Sequence, residues 1–184
     1  QYILSEYREL FGTVFQDYKV FSLSITDNIL LKVNPTNEEK DLAIDGMKNS
    51  GIYNKVEGLP KGVDTILTRE FDDQGAVLSG GEYQKIAIAR VFAKPCEIVI
   101  LDEPSSALDP ISEYQMYESM MKACQNKAVI FISHRLSSAV LADKVYLLED
   151  GQIEEQGTHF ELLHKNGKYA DMWNKQAEKY RQEA

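Results

Sequence analysis

Short apolar runs with strand character alternate with longer stretches of helical spacing along this chain, the pattern that builds an α/β sheet fold. RELFGTVFQD reads as a short strand ending near Gln16, and from FSLSITDNILL onward the texture is helical. Thr36 and Glu39 have the spacing of a capping box, in which each side chain satisfies the other's unpaired N–H. With Gly51 as a stop, NPTNEEKDLAIDGMKNSG is predicted to be one helix. The Gly- and Pro-bearing stretch GLPKGVDTILTREFDDQGAV follows neither period and predicts an irregular connector reaching Leu78. A helix then runs from about Gly81 to Ala93, with Tyr83, Ile86, Ala87, Val91 and Ala93 at apolar or small positions and Pro95 beyond its end.

EIVILDE follows as a strand. Its consecutive apolar residues Ile98 to Leu101 suit a central parallel strand covered on both faces. Asp109 before Pro110 marks the next helix start, and KAVIFIS predicts another buried strand. KVYLLEDGQIEEQG predicts a hairpin turning at Asp150-Gly151. Thr158 and Glu161 repeat the capping-box spacing at the head of a polar, amphipathic C-terminal region that breaks at Gly167. Neither an internal repeat nor a low-complexity segment is present.

A length of 184 residues allows one domain with a real core, or a piece of a larger one. The chain opens on Gln1, and QYILSEYRELF lacks the features of a signal peptide, so a missing upstream region is expected. Apolar runs of a few residues fall far short of the roughly twenty that span a bilayer. Lys and Arg number 20 against 29 Asp and Glu, a formal charge of −9, which disfavours a binder that tracks nucleic-acid phosphates. Cys96 and Cys124 lack paired metal-site or disulfide spacing and read as reduced, packed residues in a cytosolic setting.

Candidate chemistry lies at the ends of these elements. Ser79, Gly80 and Gly81 stand at the mouth of a helix, where unpaired N–H groups and the positive end of the macrodipole can receive an anion. A tight turn entering a helix would use the same residues. Gln16 after a strand suits a solvated cap, and His134 after AVIFIS suits an ordinary core or surface residue. Asp102 and Glu103 after an apolar run are more telling, because carboxylates beside a core strand are costly unless they bind something.

Taken in order, Gln16, LSGGE at 78–82, IVILDEP at 98–104 with SSALD at 105–109, and His134 resemble the ATP-binding cassette (ABC) ATPases over nearly the whole chain. EEQGTHFELL is similar to the segment after the last hairpin of exporter-type cassettes. The resemblance implies a P-loop NTPase fold with parallel core strands, a helical subdomain over 17–77, and a C-terminal part over 78–184 ending in a hairpin and helices. It also implies roles. Asp102 would hold Mg²⁺ through water, Glu103 would orient and polarise the attacking water, and His134 would contact the γ-phosphate of ATP. Gln16 would sense Mg²⁺ and that water. Ser79, Gly80, Gly81 and Glu82 of the signature, with Asp109 of the D-loop, would serve a nucleotide held by a second cassette.

Glu82 stands where the family commonly has glutamine, and its charge is expected to face away from phosphate. A larger departure is that G-x-x-x-x-G-K-[ST] occurs nowhere in this segment; the one Gly-Lys pair, Gly167-Lys168, is followed by Tyr169. The resemblance places that loop upstream of the Q-loop strand, which leads to two expectations. The chain alone should neither hold MgATP tightly nor hydrolyse it, and its sheet should expose apolar edges that favour dimerisation or rearrangement. In the full-length protein a transmembrane domain would precede the cassette, which would lie at the cytoplasmic face of the membrane. Asp17 to Val77 and TREFDDQG would face that domain. Two rivals are a structural-maintenance or DNA-repair ATPase, whose signature often reads LSGGE, and a nonenzymatic remnant. The acidic balance, the lack of sustained heptads before LSGGE and the sequence DEPSSALD favour the transporter.

Overall fold

Three parallel strands, β1 (Phe11–Val14), β2 (Ile98–Asp102) and β3 (Ala128–Ile132), form a sheet with β2 in the middle. The computed structural model describes residues 3–104 and 110–182, and the chain divides into two compact units, Gln1–Ile132 and Ser133–Ala184. Asp109 and the rest of the SSALD stretch lie outside the described residues.

In the first unit, α1 (Leu4–Glu9) takes residues that the sequence pattern gave partly to a strand, and β1 ends at Val14 rather than at Gln16. Four helices follow: α2 (Ile25–Leu30), α3 (Asn37–Ser50), α4 (Tyr53–Glu57) and α5 (Gly80–Phe92). The Thr36–Glu39 capping box is formed, and Gly51 closes α3 at φ 72°, a left-handed conformation that costs glycine little. The connector before α5 is more ordered than its composition suggests. Gly62–Asp64 form a 3-10 turn, Ser24 bridges Ile66, Leu67 bridges Ala76, and Leu67 is fully buried.

These helices pack through Ile25, Ile29, Met47, Ile52, Val56, Ile86 and Ala89. Each large aliphatic side chain so buried contributes about 1.5–3 kcal/mol relative to exposure. α3 and α5 approach closely at Gly46, where a Cβ would stand 2.6 Å from the Ala89 carbonyl oxygen.

The two faces of the sheet differ. On one face Val14, Val99 and Leu101 are buried, and Phe131 meets Tyr117 of α6 (Pro110–Ala123) edge to face at 5.1 Å. On the other, the register aligns Thr13, Ile100 and Ile130 as neighbours, then Asp102 and Ile132. Ile98 and Ile100 are only half-buried there, so β2 is central and parallel but not covered on both faces as expected. β3 corrects the expectation of a buried strand further: Ile130 and Ile132 are each 50% exposed. Among the described residues β3 is the last strand of the sheet, with a neighbour on one side only, and its apolar alternate residues face outward.

The second unit contains a hairpin of β4 (Val145–Glu149) and β5 (Gln152–Gly157). Its turn residues Asp150 and Gly151 have φ of 48° and 77°, the double left-handed pair of a type I′ turn. α7 (His159–His164) is capped by the Thr158–Glu161 box, and α8 (Lys168–Gln182) follows Gly167. Leu162, Tyr169 and Leu136 form its core, where the Tyr169 hydroxyl and His159 Nδ1 lie 2.8 Å apart. Cys96 and Cys124 are free and buried. Among the described residues, no helix is long and apolar enough to cross a membrane.

Candidate functional site

Ser79 is the N-cap of α5, one residue earlier than the helical spacing indicates. Its Oγ accepts the Glu82 N–H at 3.3 Å, and the Glu82 carboxylate accepts the Ser79 N–H at 2.8 Å. LSGGE is therefore a complete capping box as well as a glycine-bearing turn. The Glu82 carboxylate also lies 3.4 Å from Lys55 Nζ, a partner that nothing in the sequence spacing indicates. The Ser79 N–H bond holds the Glu82 carboxyl below its ordinary range; burial opposes this, and Ser79 Oγ and Lys55 add to it. Gly80 and Gly81 head the helix, where first-turn N–H groups lack intrahelical acceptors, and the Ser79 hydroxyl still has a proton to donate.

At the sheet, Asp102 ends β2 and Glu103 follows with φ 46°. For a residue with a Cβ this left-handed conformation costs about 1–2 kcal/mol. The Glu103 N–H donates to the Ile132 carbonyl at 2.9 Å, so the turn is held from β3 while the side chain leaves the strand direction. Non-glycine residues held in such conformations concentrate at functional sites. Gln16 is exposed two residues past β1, so it leaves the same carboxyl edge of the parallel sheet as Asp102 and Glu103. Ligands of open parallel sheets bind along that edge.

His134 belongs to the second unit and is exposed. Its carbonyl accepts from Gln176 Nε2 at 2.7 Å, while Gln176 Oε1 accepts the Leu136 N–H at 3.0 Å. One amide of α8 thus clamps the backbone on both sides of Arg135, and no motif spacing points to it. Two further residues without a sequence signal act on the segment after Gln16. Arg90 of α5 donates to the Lys19 carbonyl at 2.6 Å and to the Asn28 carbonyl at 2.9 Å. Tyr18 donates to the Gly80 carbonyl at 3.1 Å.

Among the described residues, no group of three or more His, Cys, Asp or Glu side chains gathers as a metal cage. An acidic residue at a sheet edge suits Mg²⁺ all the same, because that ion takes most of its six ligands from water and phosphate oxygens.

A carboxylate pair at the end of a central parallel strand and a serine-glycine helix mouth lie at element ends of an α/β domain, where such sheets bind ligands. The ABC transporter family profile matches residues 2–106, more than half of the chain, and the chain belongs to that family. An uncharacterized ABC transporter ATP-binding protein of Haemophilus influenzae is 41% identical over 92% of this chain and 28% of its own length. The human ATP-binding cassette sub-family B member 6 is 39% identical over 92% of this chain and 19% of its own length. A solved bacterial Atm1-family ABC exporter with ATP bound superposes with a TM-score of 0.81 at 34% identity, over 94% of this chain and 29% of that one. This chain thus spans less than a third of the length of these relatives.

Proposed function

We propose that this chain is the C-terminal part of the ATPase domain of an ABC exporter, which hydrolyses ATP to drive export in the full-length protein. The observation that carries the reading is Glu103, turned out of the central strand by a left-handed backbone directly after Asp102. Phosphoryl transfer asks the protein to position groups and neutralise charge rather than to form covalent bonds. Asp102 and Gln16 would hold Mg²⁺, which when bound neutralises charge on the β- and γ-phosphates. Glu103 orients the attacking water and accepts its hydrogen bond. His134 donates to the γ-phosphate. Ser79, Gly80 and Gly81, with Asp109, present a hydroxyl and close backbone to the nucleotide of a second cassette, and the capping box keeps the Glu82 carboxylate occupied at its own helix end. The partner cassette and a membrane domain earlier in the same polypeptide complete the assembly, at the cytoplasmic face of the membrane.

Steady-state ATP hydrolysis by the full-length protein and its Glu103→Gln variant tests this reading. The variant should retain nucleotide binding and lose turnover by about a hundredfold or more, the scale of a removed transition-state contact. Unchanged hydrolysis would remove Glu103 from the reaction.

A further inference from the structure

We infer that Tyr18 is a positioning residue that ties the segment carrying Gln16 to the head of α5, so that both nucleotide-facing parts of one cassette shift together. The inference rests on the exporter ATPase reading above and adds a means by which its two sites communicate.

Tyr18 and Lys19 are adjacent, and α5 holds both of them at separate points. The Tyr18 hydroxyl donates to the carbonyl of Gly80, the first residue of the helix, at 3.1 Å across 62 positions of sequence. Arg90, near the other end of the same helix, donates to the Lys19 carbonyl at 2.6 Å. Burial raises the Tyr18 pKa, with Arg90 opposing, so the phenol stays neutral and keeps its donor proton.

Residues 15–19 run between buried Val14 of β1 and Val20, which packs against the helical core. Phe15, Gln16, Asp17 and Lys19 are exposed, and Tyr18 alone among residues 15–19 is half-buried. A cavity of about 580 Å³ lies alongside, lined in part by Thr13, Phe15, Asp17, Tyr18, Lys19 and Arg90. With solvent space on one side, the stretch between these packed ends is held to α5 by the two hydrogen-bonded ties. Gln16 attends the nucleotide of its own cassette, and Gly80 attends that of the partner. A displacement at one is therefore transmitted to the other through the Tyr18 side chain, with Arg90 as the second anchor.

Tyr18→Phe removes the hydroxyl and keeps the ring. ATP hydrolysis is measured against ATP concentration for the full-length wild type, Tyr18→Phe and Glu103→Gln, with the thermal midpoint of each. Tyr18→Phe should keep the wild-type midpoint and kcat, raise KM for ATP by roughly two- to tenfold, the worth of one hydrogen bond, and move the Hill coefficient toward one. A merely structural role would lower the midpoint and scale kcat through the active fraction, leaving KM and the Hill coefficient in place; that result overturns the inference. So does a titration that superimposes on the wild type. If the wild type hydrolyses ATP and Glu103→Gln does not, the exporter reading stands and Tyr18→Phe decides the coupling alone. A wild type without ATP hydrolysis overturns both.

Discussion

Glu82→Gln isolates the charge of the capping box at the mouth of α5. In the native chain the Glu82 carboxylate accepts the Ser79 N–H at 2.8 Å and lies 3.4 Å from Lys55 Nζ. Glutamine retains an oxygen for Ser79, so the substitution removes charge and leaves the box geometry in place. The Lys55 and Glu82 side chains are 52% and 27% exposed, which limits their ion pair to about 0.2–1 kcal/mol after solvent screening. A carboxylate at a helix N-terminus adds about 0.3–1 kcal/mol. The variant should therefore lose about 0.5–2 kcal/mol near neutral pH.

The sign of the pH dependence follows from the same contacts. Because the Ser79 N–H bond lowers the folded pKa of Glu82, the unfolded chain binds this proton more readily. The stabilisation is complete above the ordinary carboxyl value of 4.5 and is lost as pH falls through the lower folded value. Urea unfolding followed by circular dichroism, at neutral pH and in acid below that range, should show the two proteins converging in acid. Added salt should narrow the neutral-pH gap as well. A gap that is the same at both pH values, or no gap at neutral pH, would refute this account of the α5 terminus.

Gly46→Ala tests the α3–α5 crossing. The added Cβ would meet the Ala89 carbonyl oxygen at 2.6 Å and the Ala93 Cβ at 3.2 Å. Overpacking of about 1–3 kcal/mol should outweigh the roughly 1 kcal/mol that alanine gains in a helix, so urea unfolding should show a net loss, and equal or greater stability would contradict the close approach. Titration calorimetry of the 184-residue chain with MgATP should give no binding in the micromolar range, since the segment contains no G-x-x-x-x-G-K-[ST] to cradle the β- and γ-phosphates; micromolar affinity would show that the signature and sheet edge suffice.

Elements that advertise themselves through local chemistry were legible in the sequence. Thr36–Glu39, Thr158–Glu161 and Asp150-Gly151 form the predicted caps and turn because each depends on neighbours within a few residues. Ser79–Glu82 carries the same capping-box spacing, but its glycines draw the sequence analysis to an anion-receiving helix mouth or tight turn, and the reciprocal box is seen in the structure. The apolar run of β2 indicated a central parallel strand, but apolarity alone could not say that one sheet face would be open, and KAVIFIS is as apolar as a covered strand would be. α4 escaped notice because YNKVE is too short for a helical period to declare itself.

Motif order singles out Gln16, Ser79, Asp102, Glu103 and His134 as candidates. Their supports were invisible because they come from remote sequence: Lys55 at Glu82, Gln176 beside His134, and Tyr18 at Gly80. The left-handed backbone of Glu103 had no signal either, since glutamate carries no preference for that conformation.

The most direct test of the phosphate-facing role of the α5 mouth is the ATP turnover of the full-length protein carrying Gly81→Val. This change leaves Ser79 and Glu82 to form the capping box and places a branched side chain where the proposed role needs close backbone approach. The account predicts that turnover falls by roughly a hundredfold while the thermal midpoint is kept. Wild-type turnover in this variant would contradict it and reduce LSGGE to a turn that enters a helix.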